Sequence, residues 1–164
     1  MPSKPLAVRI LEQRAIPHEV ITFDDAIRSA DGVAIATGIP PELVYKTLVI
    51  EQDPPKGKPF LVLVPSTIEV DLRRLAANVG VKKLRMATHR DAERYTGLQV
   101  GGISALALLG KGFPVCIASD AQSQERIVVS AGQRGVDLRL AVTDLLKLTG
   151  AKFVQVSASS AQGV

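Results

Sequence analysis

The chain has little of several residue types, and each shortage excludes a class of protein. Of its 164 residues one is cysteine and none is tryptophan, and aromatic residues make up 4%. The single Cys116 allows no intramolecular disulfide and leaves too few thiolates for a cysteine-based zinc site. So few aromatic rings also argue against a protein that binds single-stranded nucleic acid by stacking its bases.

Long apolar runs and a strong excess of charge are absent as well. The longest apolar stretches, 60–65 and 113–118, have the length of buried strands and fall short of the roughly 18–20 residues that span a bilayer. The N-terminal residues lack the apolar core of a signal peptide, so we expect a cytoplasmic protein without a membrane segment. The net charge of +4 supports only weak, salt-dependent attraction to phosphates, and a solvated basic surface explains it equally simply.

What is present is the composition of one globular domain. Hydrophobic residues make up 46% and charged residues 22%, and the length fits a single domain, which we place at 1–156 with a disordered polar tail at 157–164. Alternating apolar residues predict strands over 44–51 and 59–64, joined by a hairpin loop. Other strands and helices follow without a regular strand–helix–strand rhythm. The expected class is α/β of the α+β kind, with a mixed, largely antiparallel central sheet flanked by helices.

Residues that cap helices mark where several helices should begin. Side chains that can accept a hydrogen bond from the first turn stand before four apolar-periodic segments. The predicted N-terminal caps are Ser3, Ser29 or Asp31, Thr88 and Thr143.

Lys46 is the most informative single residue. The two-residue period of a strand places it on the same face as Val44, Leu48 and Ile50. If that face is buried, the ammonium needs a carboxylate, a cavity or a ligand phosphate, because burial without a partner costs several kcal/mol. Alternatively, the stem packs on the apolar neighbours while the charged end reaches water. The strand pattern leaves both interpretations open.

Two glycine-rich segments are further candidates. Gly101 and Gly102, followed by Ser104, allow the backbone to approach a ligand and present N–H groups to an oxyanion or phosphate. A plain turn before a buried apolar segment explains the same residues. The second segment, 130–135, precedes Asp137, which the alternation of its strand places on a solvated face.

Other reactive side chains give weaker signals. His18 and His89 lack the spacing of metal ligands, so no metal site is expected. Cys116 lies in an apolar run and is predicted to be a buried side chain rather than a nucleophile. A hydrolase with this sequence would have to act without a Ser-His-Asp triad.

Four motifs in order resemble the YbaK family of aminoacyl-tRNA deacylases, relatives of the editing domain of bacterial prolyl-tRNA synthetases. They are VYKTLV, TGLQVGGIS, VSAGQRGVDL and DLLKLTGAKF, and the similarity covers nearly the whole chain. The resemblance implies a single-domain mixed-sheet fold of the YbaK type. It also implies hydrolysis of the ester that joins a wrong amino acid to tRNA, typically tRNA for proline, without a metal or nucleotide cofactor.

The resemblance further implies site residues. Lys46 matches a signature lysine that engages the tRNA terminus or the ester. Gly101, Gly102 and Ser104 match a glycine loop whose backbone amides lie near the terminal ribose and the scissile carbonyl. The positions that match the aminoacyl pocket are Phe23, Thr47, Ser130 and Asp137.

One stretch departs from the family pattern GGISP-x-G. Ala105 replaces the proline, and the next glycine is delayed to Gly110, so we expect a less rigid or differently shaped loop. Because this loop borders the pocket, the cysteine-specific branch, an alanine-specific branch and others remain open.

The predicted function is trans-editing of mischarged aminoacyl-tRNA at its acceptor end. Cysteine or another small amino acid on tRNA(Pro) is the expected substrate, and prolyl-tRNA synthetase is a candidate partner. An ordered water or the thiol of the substrate could attack the ester. The alternatives are a non-catalytic module that holds a nucleotide or a tRNA end in the same cleft, and an unrelated small-molecule hydrolase.

Overall fold

The computed structural model of the chain describes residues 4–157. Five helices lie in this part: α1 Leu6–Gln13, α2 Ala30–Thr37, α3 Leu72–Val79, α4 His89–Thr96 and α5 Val142–Thr149. Its strands are β1 His18–Thr22, β2 Tyr45–Gln52, β3 Phe60–Pro65, β4 Leu84–Met86, β5 Val115–Ala118, β6 Arg126–Gln133, β7 Val136–Ala141 and β8 Lys152–Val154. Ser3 and residues 158–164 of the predicted tail lie outside the described residues.

The strands form two sheets instead of the one central sheet that we expected. One is antiparallel with the order β1-β7-β6, and the other has the order β4-β2-β3-β5-β8. In the larger sheet β5 runs parallel to β3 and to β8, while β2 is antiparallel to β3 and β4. An isolated bridge between Val44 and Val128 joins the sheets. The predicted mixed, largely antiparallel α+β class is confirmed.

The N-terminal ends of the helices agree with some of the predicted caps and not with others. The side chains of Ser29 and Thr88 each accept a hydrogen bond from the backbone N–H three residues on, at 3.0 and 3.1 Å. The predicted cap at Thr143 is wrong, because α5 begins at Val142 and its cap position is Ala141, two residues earlier. Helix α1 begins after Pro5, which offers no side-chain hydrogen bond. None of the helices in residues 4–157 has the length and apolar character needed to cross a bilayer.

The burial of two neighbouring strands shows where the core opens to the surface. Strand β3 is covered on both faces, and residues 61–64 expose at most 1% of their surface. The adjacent β2 is equally buried at Tyr45 and at Val49, but residues 46–48 between them are only half-buried. The core therefore opens in the middle of β2, beside Lys46.

Candidate active site

A cavity of about 250 Å³ lies between β2 and the β6–β7 hairpin. Besides Val44 and residues 45–49 of β2, its walls come from 27–31 before and within α2, from residues between 86 and 92, and from the loop around 100–103. Ser130 and Asp137 of the hairpin complete it. This volume lies somewhat below the roughly 300–1,000 Å³ of sites for drug-sized ligands. The cavity thus suits a small organic group.

Five of the eight predicted site residues meet at this cavity. They are Lys46, Thr47, Gly101, Ser130 and Asp137, contributed by two strands of the hairpin, by β2 and by the glycine loop. Lys46 and Asp137 are more than 80 residues apart in the sequence, so only the fold brings them together.

Lys46 lines the cavity from a half-buried position on β2. Its apolar neighbours on the same strand face, Val44 and Leu48, line the cavity too. Within residues 4–157 no carboxylate forms an ion pair with its ammonium group. Of the two interpretations that the sequence left open, the geometry favours the lysine that faces a cavity and offers its charge to an anionic ligand.

Asp137 is buried, with 6% of its surface exposed. It stands directly across from Ser130 in the antiparallel β6–β7 pair, and directly opposed side chains point to the same face of a sheet. Burial raises the pKa of the Asp137 carboxyl to about 6. The alternation of β7 predicted that Asp137 lies on a solvated face, and this prediction is wrong. The cavity and β1 cover this end of β7.

The glycine pair is held tightly between two backbone segments. Gly101 has a φ of +91°, and a Cβ atom there would lie 3.1 Å from Cβ of Arg28, so conformation and space both require glycine. A Cβ on Gly102 would lie 3.0 Å from the carbonyl carbon of Gln133. The Gly102 N–H donates to the carbonyl of Gln99 at 2.8 Å, whereas no described residue accepts a hydrogen bond from the Gly101 N–H.

The other three predicted site residues do not line the cavity. Ser104 is 1% exposed, and its hydroxyl accepts a hydrogen bond from the Ala107 N–H at 3.1 Å. Phe23 packs against the smaller hydrophobic cluster around Val44 and Val128, and Gly102 packs against the backbone of Gln133 and Arg134. Residues 105–108 are all buried, with 0 to 7% of their surface exposed, so burial constrains the stretch where the family pattern has proline. This packing argues against a looser loop.

Three acidic or basic side chains at the cavity were not predicted as site residues, and one of them, Asp31 in the first turn of α2, was considered only as a helix cap. The other two come from segments on either side of β2 in the sequence. Arg28 lies just before the cap of α2, and His89 is the first residue of α4. A residue beside a helix cap has a well-defined local position, but nothing in the sequence indicates that these two positions meet at one cavity. Among residues 4–157, no group of three or more His, Cys, Asp or Glu side chains is gathered as a metal site.

Comparison with known proteins decides the family. Residues 24–148, most of the chain, match the family model described as the aminoacyl-tRNA editing domain. The chain belongs to this family. A relative in Enterococcus faecalis, named "Putative Cys-tRNA(Pro)/Cys-tRNA(Cys) deacylase EbsC", is 36% identical over 157 residues, which cover 94% of this chain and 93% of the relative.

Solved structures agree with this assignment. A crystal structure of "a putative trans-editing enzyme for prolyl tRNA synthetase" is 25% identical to this editing domain, with a TM-score of 0.79 over 96% of this chain and 100% of that one. The hypothetical protein APE2540, at 19% identity and a TM-score of 0.80 over 91% of this chain and 97% of that one, shares the fold. The predicted YbaK-type fold and the predicted enzyme class are confirmed: this editing domain is an aminoacyl-tRNA deacylase that hydrolyses mischarged aminoacyl-tRNA.

Proposed function

We propose that this editing domain removes cysteine or another small amino acid from tRNA(Pro), and that Lys46, Gly101 and Asp137 carry the reaction. The observation behind the proposal is that one small cavity holds a lysine without an ion-pair partner among the described residues, a backbone N–H without an acceptor among them, and a buried carboxylate. The names of the two relatives, which mention Cys-tRNA(Pro) and prolyl tRNA synthetase, support this choice of substrate.

Asp137 is suited to recognise the α-ammonium group of the aminoacyl ester. At neutral pH a carboxyl with a pKa of about 6 is mostly ionised, and burial makes its attraction for a cation stronger than in water. Thr47 and Ser130 line the same cavity and supply hydroxyls beside it. The small volume favours short side chains, although pocket size alone discriminates only about 10–200-fold per methylene group.

The cation and the free N–H suit the chemistry of ester cleavage. A water, or the thiol of a cysteinyl group, adds to the carbonyl carbon of the ester, and the carbonyl electron pair moves onto the oxygen. The Gly101 N–H donates to that oxyanion, and the Lys46 ammonium stabilises its charge or that of the neighbouring terminal phosphate. The oxyanion electron pair then reforms the carbonyl as the carbon–oxygen bond to the ribose breaks, and the ribose oxygen leaves as a hydroxyl with the proton that the attacking water or thiol has lost.

Selection of the tRNA is assigned in this proposal to the acceptor end and to prolyl-tRNA synthetase as a delivering partner, in the cytoplasm. Arg28 at the cavity, together with Lys46, offers positive charge to the phosphates of the acceptor end. Because phosphate contacts release counterions, we expect binding to weaken as salt rises.

The direct test is deacylation of tRNA(Pro) charged with Cys, Ala, Ser or Thr. We expect fastest ester loss from Cys-tRNA(Pro), and a large loss of kcat in Lys46→Ala. The matched control is Lys147→Ala, which removes an exposed lysine of α5 that does not line the cavity. Full activity of Lys46→Ala would contradict the role of the lysine, and binding of the tRNA end without turnover would favour a non-catalytic module.

A further inference from the structure

Two charged side chains form hydrogen bonds with the backbone of Val100, the residue before Gly101 of the cavity. Its N–H donates to the Glu93 carboxylate at 2.8 Å, and its carbonyl accepts a hydrogen bond from Nε of Arg134, also at 2.8 Å. Glu93 belongs to α4, whereas Arg134 lies in the turn between β6 and β7. Side chains from two separate elements therefore hold a single loop residue, and we call Glu93 and Arg134 the Val100 clamp.

This clamp fixes the direction of the Gly101 N–H. The Val100 carbonyl and the Gly101 N–H belong to one planar peptide unit, which is trans, so the two groups point in opposite directions. A donor that holds the carbonyl thereby also orients the N–H. No described residue accepts a hydrogen bond from that N–H, and Gly101 lines the cavity.

Close packing between two backbone segments also restricts the movement of the glycine loop. A Cβ on Gly102 would lie 3.0 Å from the backbone nitrogen of Arg134, so the turn that carries the arginine touches the glycine loop. Without side-chain contacts, a Gly-Gly pair would sample a wide range of backbone conformations. A hydrogen bond to the carbonyl also polarises the amide, which makes its N–H a stronger donor.

We propose that Arg134, assisted by Glu93, positions and polarises the Gly101 N–H as the oxyanion donor of the deacylase. The inference rests on the proposed function of Gly101. Arg134 and Glu93 are positioning residues, because neither side chain lines the cavity and each acts through the Val100–Gly101 peptide. A guanidinium on this peptide further places a positive charge near the developing negative charge.

The test compares Arg134→Ala and Arg134→Lys with Arg139→Ala. Arg139 lies on the same hairpin, and its guanidinium pairs with Glu19 at 3.5 Å, away from the cavity. We expect kcat on Cys-tRNA(Pro) to fall about 10- to 100-fold in both Arg134 variants, with KM near the wild-type value, because the lost contact acts at the transition state. Added guanidinium ion should restore part of the kcat of Arg134→Ala, which a general loss of structure would not allow.

Glu93 provides a conservative pair of variants. Glu93→Gln keeps an oxygen that accepts from the Val100 N–H and should keep most of the activity, whereas Glu93→Ala should lose it. The amide chemical shift of Gly101 gives a readout independent of turnover: it should move in Arg134→Ala and stay unchanged in Arg139→Ala. Wild-type kcat in Arg134→Ala, or an unmoved Gly101 amide, would overturn the inference. If the wild-type protein cleaves no mischarged tRNA, the proposed function fails, and the amide shift still tests the clamp.

Discussion

The buried carboxylate of Asp137 should make the protein less stable at neutral pH than its Asn variant. Asp137 is 6% exposed, and no carboxylate in the described residues other than Asp31 shares its cavity. Burial raises its pKa from 3.8 to about 6. Since one pKa unit corresponds to about 1.4 kcal/mol, the ionised group costs roughly 3 kcal/mol of folding free energy. Asp137→Asn keeps the shape of the side chain and removes this cost.

The sign of the pH dependence follows from the direction of the shift. A pKa that is higher in the folded state means that the folded protein binds the proton more tightly. The free energy of unfolding of the wild type therefore falls as pH rises from about 4 to about 6, and the cost is fully present above pH 6. The Asn variant lacks this titration, so its advantage of roughly 3 kcal/mol at pH 7.5 should shrink to about half by pH 5.

Urea denaturation of wild type and Asp137→Asn at pH 7.5, 5 and 4 measures the effect. Lys46, Arg28 and His89 line the same cavity, and mutual attraction with these groups would make the effect smaller. Asp25→Asn, at an exposed site outside the cavity, serves as the control. We expect Asp137→Asn to be more stable but a poorer deacylase, because it lacks the charge that would bind the substrate ammonium. A variant that is less stable at pH 7.5, or whose advantage does not change with pH, would refute the reasoning.

Two further substitutions test packing. Gly101→Ala should lower kcat at least as strongly as loss of an oxyanion donor, about 10²–10³-fold, because its φ of +91° and the 3.1 Å approach to Arg28 force the loop to move; an active, unshifted variant would contradict this. Tyr95→Phe removes a 2.6 Å hydrogen bond to the buried Glu51 and should lower the free energy of unfolding by about 1–3 kcal/mol, while kcat measured on folded protein stays unchanged.

Features that depend on a few neighbouring residues could be predicted from the sequence. The hairpin of β2 and β3 and the caps at Ser29 and Thr88 follow from side-chain alternation and from capping within one helical turn. The placement of Lys46 on an apolar strand face has the same local origin. The family motifs then predicted which of these local features belong to a site, and five of the eight predicted residues line one cavity.

Features set by contacts between distant segments could not be predicted in this way. The division into two sheets depends on which strands pair, and the pattern of one strand does not contain its partner. Asp137 and Arg139 share a strand face, yet the aspartate is 6% exposed while the arginine reaches Glu19 on the surface. Only the cavity, built from residues far away in sequence, distinguishes the two positions.

The cavity combines a buried charged group with a backbone donor that no described residue engages. Asp137 is a buried carboxylate without an ion-pair partner among the described residues, which lowers stability. The N–H of the half-buried Gly101 has no acceptor among the described residues. In the proposed mechanism an aminoacyl ester would supply a partner for both, with its ammonium group paired to Asp137 and its carbonyl oxygen accepting from the Gly101 N–H. The oxyanion accepts more strongly than the carbonyl, so the second contact strengthens as the reaction proceeds. The carboxylate that weakens the fold is thus one of the groups that the proposed reaction would use.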